Sequence, residues 1–271
     1  MSTNNAKKKI ITFLVITFIL SIIFYGLIIR AGGVEEDAAM IYVILLMWSP
    51  GVAGLITTFI YQRNLRGMGW GLGKPKYLAI GWLLPVLYTG IIYSAVWLFG
   101  LGQANFGALE GNLMVQFLKA LTIGVLSAAI TAVGEEIGWR GLLVPQMAKI
   151  NSFTWTAVIS GVIWGIWHWP VIWLGYNYPG QPLLGSLFMV AYCIILAYFL
   201  AYAVFKSKGV WTAAYLHALN NQTLSFFVLA VVAPTSVIYS FGIGLPALLL
   251  GAVVILLLLR DPVWKEKDFP N

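Results

Sequence analysis

The chain has 271 residues, of which 61% are hydrophobic and only 9% charged, and its mean hydropathy is +0.89. A soluble domain carries roughly 25% charged residues because it must present a solvated surface, so this composition excludes one. The formal charge of +7 would suggest an anionic partner in a soluble protein; here basic loops account for it, and nucleic acid is excluded as a partner.

Apolar runs long enough to cross about 30 Å of hydrocarbon fall at 10–29, 39–61, 77–99, 116–148, 153–174, 183–205, 210–231 and 236–259. They predict an all-α, polytopic membrane protein with about eight transmembrane helices in one bundle, residues 1–271 forming a single integral membrane domain. The first run follows Lys7, Lys8 and Lys9. It is longer than a signal-peptide core of about 7–15 residues and no A-x-A-like site follows, so it is read as a retained span. The segment RNLRGMGWGLGKPKY (63–77) is a basic, glycine-rich loop, read as topogenic and lipid-facing. The fourth run is long enough to require tilt or projection, and the seventh is interrupted by polar residues. The one cysteine, Cys193, lies in the sixth run, so no intramolecular disulfide or redox motif exists.

Lysine and arginine set the orientation. With the N-terminus inside, 14 of the 16 basic residues fall on the cytoplasmic side, Arg140 included, leaving Arg30 and Lys119 outside with Glu35, Glu36, Asp37 and Glu110. Both termini are therefore expected to be cytoplasmic, in a bacterial-type plasma membrane.

An ionisable group at membrane depth is costly and is by default a functional hypothesis. Of the nine acidic residues only Glu135 and Glu136 lie within a span, and both histidines, His168 and His217, do too. In EEIGWR (135–140), Glu136 and Arg140 are four apart, the spacing of a helical ion pair. Glu135 points about 100° away around the helix and is left free. In WGIWH (164–168), His168 shares a face with Trp164, and Gly161 and Gly165 form a small-xxx-small pair that permits close helix approach. In HALNN (217–221), His217 and Asn221 again share a face. At about 1.5 Å per residue, the four polar residues can meet in the inner half or middle of the bilayer. The tryptophans of span five (Trp155, Trp164, Trp167, Trp169, Trp173) divide between an interfacial belt and the cavity wall.

EExxxR, then aromatic-xxx-His, then HxxxN, in that order, resemble the CAAX-protease and bacteriocin-processing family of intramembrane endopeptidases. The motif-bearing core is placed at 116–231; Trp164 stands where phenylalanine is more usual. The resemblance implies that Glu135 is the general base on a water also held by His168. His217 and Asn221 would supply the oxyanion hole, with Glu136, Arg140 and Trp164 in support. It implies a membrane-embedded or lipidated peptide as substrate, in contact with the lipid bilayer. A metal-free glutamate mechanism is preferred, since there is no H-E-x-x-H helix; the alternative is Zn2+ held by Glu135, His168 and His217. Two other functions are weighed: a non-proteolytic, catalytically silent scaffold for bacteriocin self-immunity, and an ion- or proton-coupled transporter using the same buried polar residues. No internal repeat supports the transporter.

Overall fold

The computed structural model describes residues 3–104, 111–234, 236–239 and 244–265. The helices are α1 (Thr3–Arg30), α2 (Met40–Gln62), α3 (Pro75–Leu98), α4 (Leu113–Met147), α5 (Phe153–Trp167), α6 (Trp169–Trp173), α7 (Pro182–Ser207), α8 (Val210–Val231) and α9 (Leu245–Leu258). Local chemistry sets several ends. Pro75 and Pro182 open α3 and α7, where the missing N–H has no helical partner to lose. The Asn112 side chain accepts from the Met114 and Val115 amides to cap α4, and Ser152 accepts from Trp155 to cap α5. Arg63 and Lys208 close α2 and α7 in the left-handed conformation.

Among the described residues, six helical segments are long and apolar enough to cross a membrane: α1, Asp37–Gln62, α3, α4, Phe153–Trp173 and α7. The protein is an integral membrane protein of all-α class. α8 is of spanning length, at 22 residues, but carries His217, Asn220, Asn221 and Gln222 along its middle. Among the described residues of the eighth predicted run, 236–259, the α-helix is the 14 residues of α9. Gly244 caps the helix, with Pro246 in its first turn, and the described residues before it include β2 (Val232–Pro234), antiparallel to β1 (Gly102–Ala104), and a short 3-10 turn. Exposed isoleucine, leucine and valine side chains cover the outward faces of α1, α2, α4 and α9, as lipid contact requires.

α4 is the axis of the bundle. It packs against α2 on one side and α8 on the other; α1 lies on α2, α3 on α8, and α7 joins α5 to α9. Gly134 and Gly138 of α4 let α2 approach to backbone contact: a Cβ at Gly138 would lie 2.4 Å from the Pro50 carbonyl carbon. The pair predicted at Gly161 and Gly165 serves α5 and α7 in the same way, a Cβ at Gly161 falling 2.5 Å from Ile194 Cα. Two π-helical turns interrupt α4, at Ala120–Gly124 and at Trp139–Leu143.

Two sequence expectations are corrected here. Arg140 belongs to the second π-turn and is buried beside Glu136, so it is not a loop charge and drops out of the count that set the orientation. The loop 63–77 is not simply lipid-facing. Its Met68 is buried against α2 and α4, the Val210 amide donates to the Gly69 carbonyl at 2.7 Å, and the Trp211 indole donates to the Trp70 carbonyl at 2.9 Å. Glycines at 67, 69, 71 and 73, three of them with positive φ, let the backbone fold back tightly enough to reach α8.

Candidate active site

One cavity of about 280 Å³ lies within the bundle, and Glu135, Trp164, His168, His217 and Asn221 all line it. The sequence motifs on α4, α5 and α8 thus converge, with Tyr192 and Cys193 of α7 completing the wall.

Glu135 and Glu136 are adjacent but face different neighbours, as their angular separation requires. Glu135 accepts a hydrogen bond from the Trp164 indole at 2.6 Å and borders the cavity. Glu136 turns into the protein. Its Oε1 accepts from Arg140 Nη1 at 2.8 Å and from His217 Nδ1 at 2.9 Å, and all three side chains are buried. Arg140 in turn stacks its guanidinium 4.3 Å from the Trp164 ring centroid. Trp164 therefore holds Glu135 through its edge and Arg140 through its face. This is a use of the indole that a phenyl ring could not serve, because it has no N–H to give Glu135.

His168 stands where α5 breaks. Pro170, two residues on, has no N–H and its ring opposes a continuing helix, so the His168 amide bonds to Gly165 and a new short helix starts at Trp169. His168 Nδ1 lies 2.9 Å from the Trp164 carbonyl. A carbonyl can only accept, so Nδ1 carries the proton and Nε2 keeps a free lone pair. His217 is oriented in a comparable way: Glu136 accepts from Nδ1, which leaves Nε2 toward the cavity. Both rings flank Trp164, with centroids 5.8 Å and 5.2 Å from it. The break at His168 is held from α1, where Tyr25 donates to the Trp167 carbonyl and Ser21 accepts from the Trp167 indole at 2.7 Å. Trp164 lines the cavity, Trp167 is buried against α1 instead of lining it, and Trp155, Trp169 and Trp173 are exposed.

Several lining or supporting residues carried no readable signal. Asn220 donates to the Tyr192 hydroxyl at 2.6 Å and to Asn221 Oδ1 at 3.3 Å, so it orients the Asn221 amide. Only its adjacency to Asn221 hinted at a role. Cys193 Sγ lies 3.9 Å from His168 Nδ1. Tyr176 and Asn177, from the loop after α6, line the cavity at one end. As to metal, no three His, Cys, Asp or Glu side chains among the described residues are grouped closely enough to hold an ion.

Comparison with known proteins bears on the same segment. Residues 117–223 match the family model described as Type II CAAX prenyl endopeptidase Rce1-like. A curated relative, CAAX prenyl protease 2 of Methanococcus maripaludis, is 29% identical over 62 residues, 23% of this chain and 21% of the relative. The matched region thus spans about a fifth of that relative's length. The matched 117–223 stretch contains all three motifs and every one of the seven residues singled out from them, so it is the cavity-building core of this chain that is similar to the CAAX prenyl endopeptidase family model.

Proposed function

We propose that the protein is an intramembrane endopeptidase that hydrolyses a peptide bond in a membrane-associated or lipidated peptide by glutamate-activated water. The observation that carries this reading is the convergence of Glu135, His168, His217 and Asn221, from three helices, on one cavity. In the proposed reaction Glu135 takes a proton from water while His168 Nε2 accepts the water's second hydrogen bond. The water oxygen bonds to the scissile carbonyl carbon, and negative charge moves to the carbonyl oxygen. Asn221 and, as an imidazolium, His217 Nε2–H donate to that oxygen. Collapse breaks the C–N bond, and the proton held by Glu135 passes to the leaving amine, so the base returns as acid. Glu136 keeps His217 turned with Nδ1 away from the cavity, and Arg140 holds Glu136.

The experiment is hydrolysis by purified protein in lipid nanodiscs. A farnesylated peptide ending in C-a-a-X, its unlipidated counterpart and a set of membrane-spanning peptides are offered, with products read by mass spectrometry. Cleavage of a lipidated or membrane-embedded peptide is expected. Folded protein that cuts none of them would overturn the reading.

A further inference from the structure

The cavity has a closed end and an open end, and the chain's charge says which side of the membrane each faces. At the basic end the loop at 67–73 is stitched across the start of α8. The Val210 amide and Trp211 indole donate to Gly69 and Trp70, and Gly209 approaches so closely that a Cβ there would lie 2.2 Å from the Gly71 carbonyl oxygen. Beneath it Met68, Trp139, Leu142 and Leu143 are buried in the same core. This plug separates Glu135 from the end of α4 at Met147, twelve residues or about 18 Å away.

The opposite end is lined by loop residues. Val34, from the α1–α2 connection, and Tyr176 and Asn177, from the α6–α7 connection, border the cavity, and Tyr176 is 43% exposed. His168 is only five residues, about 8 Å, from the end of α6 on this side. Here the flanking loop carries Glu35, Glu36 and Asp37, whereas the plugged end carries Arg63, Arg66, Lys74, Lys206 and Lys208. Basic loops mark the cytoplasmic side.

We infer that the cavity opens to the extracytoplasmic face, so that its substrate is a peptide presented at the outer leaflet rather than one delivered from the cytoplasm. The depth expected from the sequence, in the inner half or middle of the bilayer, becomes the middle to outer half. The proposal rests on the endopeptidase reading only for what is cut; the direction of access stands on the plug, the mouth and the charge.

The test separates the two. In a Cys193→Ala background, Val34→Cys at the mouth, Thr131→Cys on the cavity wall and Asn64→Cys on the basic loop are each placed in right-side-out and inverted membrane vesicles. They are treated with a small, charged, membrane-impermeant methanethiosulfonate and quantified against the denatured protein. Val34→Cys and Thr131→Cys should label in right-side-out vesicles and Asn64→Cys in inverted ones, each at least tenfold faster than from the other side. Labelling of the cavity cysteines from the same side as Asn64→Cys, or of Thr131→Cys from neither side, would overturn the inference. These readouts need no activity, so they survive failure of the protease reading. If a cleavable peptide is found, its soluble form should be cut by right-side-out vesicles of the wild-type protein, and cutting by inverted vesicles alone would refute the direction of access while leaving the protease intact.

Discussion

Replacing Glu136 with glutamine changes one side-chain oxygen, yet two donors depend on it. Oε1 receives Arg140 Nη1 at 2.8 Å and His217 Nδ1 at 2.9 Å, and all three side chains are buried. Glutamine keeps an acceptor but cannot balance the guanidinium charge, and removing one partner of a buried pair costs about 3–5 kcal/mol. The contact of Arg140 with the Trp164 face is present before and after the change and does not offset the loss. Against a total stability on the order of 5–15 kcal/mol, the effect is large. Glu135→Gln makes the contrast: the amide oxygen still accepts from Trp164, no cation is hydrogen-bonded to Glu135, and the change in stability should stay within about 1 kcal/mol. Reversible unfolding in mixed lipid–detergent micelles, followed by the fluorescence of the buried Trp164 and Trp167, measures both. The double variant Glu136→Gln with Arg140→Met removes both charges and should regain most of the stability, because an apolar replacement of a buried pair is often neutral. It should not regain activity, since His217 stays without its carboxylate. A Glu136→Gln protein as stable as wild type, or a double variant no better than the single, would refute this account of the pair.

Further outcomes follow from other contacts. Asn221→Ala should reduce turnover by roughly 10²–10³ and leave a measurable residue through His217, whereas His168→Ala should nearly abolish it; equal losses in steady-state assays would contradict the division of roles. Gly161→Leu should push α5 from α7 and cost about 1–3 kcal/mol in the same unfolding assay, and a neutral result would contradict the close approach. At the basic end, burial opposes ionisation of Asp261, but the Val263 amide, the Lys206 ammonium and the Tyr202 hydroxyl outweigh it and hold the carboxyl below its usual 3.8. A depressed pKa stabilises the fold above about pH 4 and the contribution fades as pH falls through the folded value. Asp261→Asn should therefore cost at most about 1 kcal/mol near neutrality and converge with wild type on acidification. Exhaustive chelation should leave turnover unchanged under the glutamate mechanism; loss restored by zinc would keep the protease and reject that mechanism.

What could be read from the sequence was whatever a single helix fixes. The spacing of Glu136 and Arg140 gave their ion pair, the 100° step freed Glu135, and Gly161 with Gly165 marked the face on which α5 meets α7. The bond from His217 to Glu136 could not be read, because it depends on the rotation and depth of α8 against α4. The same holds for Asn220 with Tyr192 and for the hold of Tyr25 on the break at His168. The loop at 63–77 read as a topogenic, lipid-facing segment, since its basic and glycine content reports charge and backbone freedom; the contacts that use that freedom lie some 140 residues away at α8.

The central claim is that Glu135 activates the attacking water, and one comparison tests it most directly: turnover of a cleavable lipidated or membrane peptide by wild type and by Glu135→Gln, at matched folded concentration. A general base contributes on the order of 10²–10⁴ in rate. The account predicts a loss of at least that size, with unfolding stability unchanged and peptide binding retained. Full turnover by a folded Glu135→Gln protein would contradict it.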